Sequence, residues 1–166
     1  MKRKYKVLGA LLLIILCTFL MCSEVSAKSV KKSVPRNNSF KSYMDYRTIT
    51  NKGSKQYKLQ RKCKTAKNGL RTYKGRYVIA LGTFYTTKVG TKVDLKMHNG
   101  KTVKCIIGDI KDNRHTDITR RQARDGSVAE FIVDKYRLGS KSKRMGNVSY
   151  SDKKLLGSIK YIKVYG

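Results

Sequence analysis

Three carboxylates and a histidine fall within ten residues, Gly108-Asp109-Ile110-Lys111-Asp112-Asn113-Arg114-His115-Thr116-Asp117. The whole chain has only ten Asp and Glu residues in 166. Such a cluster can do acid chemistry. Two carboxylates held close raise one pKa, which keeps a proton donor available near neutrality. Lys111, Arg114, Arg120 and Arg121 act the other way, because neighbouring cations hold an Asp ionised. The alternative is a solvated turn whose Asp and Asn side chains bond their own backbone. The sequence leaves both open.

Something must position these groups. The apolar run Val103-Lys104-Cys105-Ile106-Ile107 leads into them and reads as a buried strand ending at Gly108. From Gly75 onward the pattern is β. Tyr77 to Leu81 is a short apolar strand, and Thr91 to Met97 alternates Val93, Leu95 and Met97 against Lys92, Asp94 and Lys96. Asn99-Gly100 predicts a type I′ turn, and Thr102 to Ile107 returns antiparallel. Further strands are expected over Ser127 to Val133 and Ser158 to Val164, with one helical turn over Gln122 to Arg124. With glycines at the corners, this predicts an all-β domain, a small six-stranded closed barrel over 75–166, because closure removes exposed edges. Upstream, 28–45 is basic, polar and holds the only proline, Pro35, so a flexible leader is expected. Residues 46–74 should pack on the barrel, with a strand over Ser54 to Gln60 and with Leu59, Leu70 and Tyr73 inward.

The formal net charge of +29 is spread through the chain. Such a field attracts polyanions: nucleic acid, anionic lipid headgroups, or phosphate-bearing wall polymers. The N-terminus chooses among them. Lys2-Arg3-Lys4-Tyr5-Lys6 is a basic start, Val7 to Met21 is apolar or neutral, and Val25-Ser26-Ala27 offers small residues for cleavage before Lys28. Residues 1–27 therefore read as a signal peptide. The apolar run is short for a spanning helix, which needs about 20 residues. An uncleaved anchor and a lipid-modified Cys22 are the alternatives. Export makes nucleic acid an unexpected natural partner. It predicts a secreted protein, extracellular or wall-associated, with no stable membrane insertion after cleavage. A monomer is expected.

Cleavage would remove Cys17 and Cys22 and leave Cys63 and Cys105. An exported chain with two cysteines invites a disulfide, which would contribute about 3–4 kcal/mol if unstrained. Two buried thiols are the alternative. A zinc site using His98 and His115 lacks any known ligand spacing, and no cofactor is expected.

Leu81-Gly82, Val89-Gly90-Thr91-Lys92-Val93, the hairpin, the strand ending at Asp109, and Asn113-Arg114-His115-Thr116-Asp117-Ile118 together resemble the double-psi β-barrel. The likeness is to the group holding rare lipoprotein A, the three-aspartate domains of Gram-positive wall proteins, the lytic transglycosylase A barrel and the expansins. His115-Thr116-Asp117 is similar to the His-Phe-Asp of expansins, and Asn113-Arg114 to the Gly-Asn-Arg of the three-aspartate domains. Lys111 and Asp112 stand where those domains carry glycines.

Two functions follow from the resemblance. The first is a wall-binding module without catalysis, expansin-like, whose partner is peptidoglycan or an anionic wall polymer. There the basic surface holds polymer, and tyrosines such as Tyr77, Tyr85 and Tyr136 stack on sugars. The second is a lytic transglycosylase-like enzyme. That mechanism needs one acid, because the sugar's own hydroxyl attacks; Asp117 would be the acid and Asp109 its polar partner. In either case His115, Arg114, Asp112 and Tyr85 are the candidate binding residues, with Asp112 serving the turn as the alternative.

Overall fold

The computed structural model describes residues 28–166. The expected signal peptide lies outside the described residues. Among the described residues nine strands form one sheet. They are β1 (Ser29–Lys32), β2 (Tyr43–Asp45), β3 (Lys64–Thr65), β4 (Arg71–Tyr73), β5 (Arg76–Leu81), β6 (Lys92–Met97), β7 (Thr102–Ile110), β8 (Glu130–Val133) and β9 (Ile159–Tyr165). Among the described residues, two short helices, α1 (Lys55–Gln60) and α2 (Ser140–Met145), and a few single-turn 3-10 helices complete the regular structure. The described residues are mostly β.

The sheet runs β1-β9-β6-β7-β5, and the far edge of β5 is shared. β4 pairs with its beginning, and β8 pairs antiparallel at Ile79 and Ala80. β5 and β7 are parallel; β6 is antiparallel to both β7 and β9. Alternation sends the inward residues of these strands into one cluster. It holds Ile79 and Leu81, Val93 and Leu95, Cys105 and Ile107, Phe131 and Val133, and Ile159 and Ile162. The opposite face carries a smaller cluster, Val78, Ile106 and Ile132, covered by Met44, Tyr46, Ile49, Cys63 and Tyr73.

Four expectations about local structure are corrected. Residues 28–45 are not a free leader. β1 pairs with β9 along its whole length, and β2 lies parallel to β8. Asn38 is buried, and its side chain both donates to and accepts from the Ile159 main chain. Lys41 is buried too, and its Nζ donates to the carbonyls of Ser39 (3.0 Å) and Gly157 (2.7 Å). Backbone pairing needs no apolar side chains, so composition does not reveal it. Second, 54–60 is helical. Ser54 caps α1 by accepting from the Tyr57 N–H at 3.1 Å, which satisfies an otherwise free donor of the first turn.

Third, the β6–β7 hairpin forms, but with a different turn. Gly100 N–H donates to Met97 O, and Met97 N–H to Lys101 O. Gly100 alone of the loop residues has positive φ, at 80°. That is a type I turn closed by a left-handed glycine, the other common short hairpin. Fourth, Gln122 to Arg124 is an irregular loop and not a helical turn. Leu70 is buried as expected, while Leu59 and Tyr73 are half-buried.

Cys63 and Cys105 are free thiols, so the expected disulfide is not formed. Cys105 lies in the main core and Cys63 packs on the smaller cluster across the sheet. Burial pushes both thiols above their ordinary pKa.

Candidate functional site

The register places Asp109 on a particular rung. Ile79 faces Ile107, but Ala80 faces Asp109, so Gly108 is an extra residue in β7. Only glycine fits there. A Cβ on Gly108 would lie 2.2 Å from Val78 Cγ1 and 2.9 Å from Ile132 Cδ1. The bulge carries Asp109 opposite Ala80, and Glu130 of β8 sits on the other side of Ala80. Asp109 is half-buried, and its Oδ1 accepts from the N–H of Ile110 at 2.9 Å. Glu130 is held by Lys111, Nζ to Oε1 3.1 Å, both side chains being largely shielded from water. Lys111 also acts on Asp125. Burial alone would raise the Asp125 pKa; bonds from Ser127, the Lys111 charge and a Ser42 bond outweigh that and lower it.

The sequence points to Lys111 only as a cation opposing the Asp cluster, and it does not point to Glu130 as a site residue. Glu130 is one of ten acids in the chain and opens an apolar strand. That position was the available signal.

Asp117 is placed differently. Its Oδ1 accepts from the N–H groups of Arg121 (2.8 Å) and Gln122 (3.0 Å), and its Oδ2 from the Thr119 hydroxyl. Its own N–H donates to Gln122 O. The carboxylate therefore holds the 117–122 loop closed. Burial would raise its pKa, but the Thr119 hydroxyl and the loop N–H groups prevail and keep it below the ordinary value. No hydrogen bond joins Asp109 to Asp117.

Asp112 caps the turn Asn113–His115 through Arg114 N–H. The Arg114 guanidinium grips the same carboxylate at 2.7 Å. That bond, with the backbone one, brings the Asp112 pKa down to about 2. His115 is exposed, and its carbonyl accepts from Arg124 N–H. The same capping device recurs at Asp45, Asn147 and Asp152. In each case a short polar side chain satisfies a donor that the start of a 3-10 turn leaves free. Turn formation thus occupies much of the carboxylate cluster.

Tyr85 is 1% exposed and belongs to the core. It cannot stack on a ligand, which corrects its placement among the binding residues. Tyr77 is half-buried against Phe131, edge to face at 6.1 Å, and its hydroxyl donates to Asp152. Tyr136 is 81% exposed, with the Arg47 guanidinium 4.1 Å over its ring. Tyr136 is thus the exposed one of the three tyrosines expected to stack.

Charge is the dominant property of the surface. Without residues 1–27 the chain loses four cations and Glu24, and +29 becomes +26. Among the described residues only four cations form ion pairs: Arg47, Arg76, Lys111 and Arg114. No group of three or more His, Cys, Asp or Glu among the described residues is placed to hold a metal. No described helix is long and apolar enough to cross a membrane.

No family model matches the chain, and neither a curated protein nor a solved structure matches it.

Proposed function

We propose that this is an exported protein that binds anionic cell-wall polymer or peptidoglycan without cleaving it. The observation that carries the reading is the unpaired charge: the basic residues far outnumber the carboxylates, and among the described residues only four of them are paired. A surface of this kind holds polyanions through many weak, screened contacts. The state of Asp117 supports the non-catalytic form. A general acid must carry a proton to give, and this carboxylate is stabilised ionised by three donors.

In fold, we read the nine-stranded sheet as a double-psi β-barrel. The convergence of inward residues from β5 to β9 on one cluster supports this. So does the parallel β5–β7 pair with β6 on the outer side of β7.

The test is a pull-down on purified Gram-positive walls, before and after the phosphate polymers are stripped off. Retention should fall steeply between low and high salt, and again on stripping, with no soluble muropeptides released. Salt-independent retention, or anhydro-sugar products, would overturn the reading.

A further inference from the structure

A second site lies away from the β7 loop. The turn Tyr46–Thr48 and helix α1 enclose a pocket of about 390 Å³, within the size range of small-molecule sites. Tyr46, Arg47, Lys52, Tyr57, Gln60 and Arg61 line it, and no carboxylate does.

Its walls are held in place beforehand. The Arg47 guanidinium is fixed between Asp45 and Asp134. It lies 4.1 Å from the Tyr136 ring and 5.0 Å from the Tyr46 ring. Arg71, buried, lies 4.3 Å from the same Tyr46 ring. Arg71 then donates to the Gln60 carbonyl at 2.6 Å and reaches Gln60 Oε1 at 3.5 Å. The alternation Tyr136, Arg47, Tyr46, Arg71 is a ladder of cations and rings that fixes one side of the pocket. Preorganised aromatic walls cost little to order when a ligand arrives.

Two cations are left over. Lys52 and Arg61 are exposed and form no ion pair among the described residues. The Gln60 amide does not join them, because its Nε2 is closed off from solvent and packs at the Gly108 bulge, 3.1 Å from where a Cβ there would stand. The combination suits a ligand with a negative group for Lys52 and Arg61 and a ring to lie against tyrosine.

We propose that this pocket binds a phosphorylated sugar unit. It uses none of the residues from Asp109 to Asp117. It rests on the wall-binding reading only for the natural source of that sugar.

The experiment titrates isotope-labelled protein with N-acetylglucosamine 1-phosphate and follows backbone amides by NMR. Inorganic phosphate, N-acetylglucosamine and uridine monophosphate are run alongside. Saturable shifts confined to residues 46–61 are expected with the sugar phosphate, and weaker ones with the other three. The exposed double variant Lys52→Ala/Arg61→Ala should bind about tenfold more weakly, since each charge-assisted contact contributes on the order of a few-fold. Tyr57→Ala should weaken the sugar phosphate more than inorganic phosphate. No binding, shifts elsewhere, or equal binding of inorganic phosphate or of the uncharged sugar would overturn the inference. Tighter binding of uridine monophosphate would overturn it in favour of a nucleotide site. Wall retention is measured on the same preparation. If retention stands while the titration fails, this inference falls and the wall reading does not.

Discussion

Asp109 of β7 and Glu130 of β8 occupy one rung of the sheet, one on each side of Ala80. Two strand spacings, about 9.5 Å, separate their backbones. The two acids nonetheless have different roles. Glu130 is neutralised by Lys111, whereas Asp109 bonds only the next backbone N–H among its side-chain contacts. The Lys111–Glu130 pair lies between the surface and core cases. Glu130→Ala should therefore cost about 2 kcal/mol, below the 3–5 kcal/mol of a fully buried pair and above a surface one. Urea unfolding of Glu130→Ala, Lys111→Met and the double variant checks this. A coupling energy near zero in that cycle would show that the pair does not act as a unit.

Asp117→Asn keeps the shape of the side chain and removes its charge. The loop N–H groups of Arg121 and Gln122 then meet a neutral acceptor. A loss of about 1 kcal/mol is expected, the size of a weakened hydrogen bond. Wall retention should change by no more than about twofold on a surface this densely charged. The pH dependence has a defined sign. The folded pKa of Asp117 is below the unfolded value near 3.9. Its contribution is full above that value and is lost as pH falls through the folded pKa. The stability gap between wild type and variant should therefore close on acidification. A gap that widened would contradict the geometry.

What was legible in the sequence was what depends on side-chain alternation. Lys92–Met97 and Ile159–Tyr165 announce themselves by period two, and Arg76–Leu81 by its apolar run. The β6–β7 hairpin was legible from Asn99-Gly100, although Gly100 alone supplies the left-handed turn. What depends on distant backbone pairing was not. Ser29–Lys32 has no apolar pattern, and its partner lies at the other end of the chain. The Asp cluster was legible as a cluster, but its division between capping, loop closure and a sheet rung was not. That division turns on the bulge at Gly108 and on which N–H groups each turn leaves free. Ser54 ahead of Lys55–Gln60 was a cap signal that alternation obscured.

The cysteines give a chemical check on sheet faces. The two thiols lie in different clusters. Alkylation in denaturant without reductant should modify both Cys63 and Cys105. In native buffer Cys105, fully buried, should react far more slowly than half-buried Cys63. An intact mass lighter by two hydrogens, with no alkylation, would show a bridge and a different sheet register.

Lys41 makes an alkaline prediction. Burial lowers its pKa from 10.5 to about 8. Between those values the unfolded chain binds the extra proton, so this residue's contribution to stability rises with pH. The slope approaches about 1 kcal/mol per pH unit. The thiols, and Tyr77, Tyr85 and Tyr165, have raised pKa values and act oppositely above about pH 9 to 10. Comparison with Lys41→Met isolates the lysine. From pH 8 to 10 the wild type should gain stability relative to the variant, as measured by chemical denaturation. A constant difference across that range would show that Lys41 titrates normally.

The last prediction concerns the loop that Asp117 closes. Arg120 has φ of 57°, a left-handed conformation that costs a non-glycine residue roughly 1–2 kcal/mol. Its neighbour in space is Gly82, where an added Cβ would lie 2.0 Å from the Arg120 carbonyl oxygen. The two positions are thus a matched pair: a strained arginine backbone seated on a glycine with no side chain. Gly82→Ala must push the loop away and strain the donors that reach Asp117. A loss of about 1–3 kcal/mol is expected, the range for overpacking. Arg120→Gly should do the reverse. It relieves the left-handed penalty but loosens the unfolded chain, so a net gain of about 0.5 kcal/mol is expected. In the double variant the flexible glycine at 120 should let the loop shift and recover part of the Gly82→Ala loss. Thermal unfolding of the three variants decides the matter. Equal losses for Gly82→Ala with and without Arg120→Gly would mean that the two backbones are not coupled.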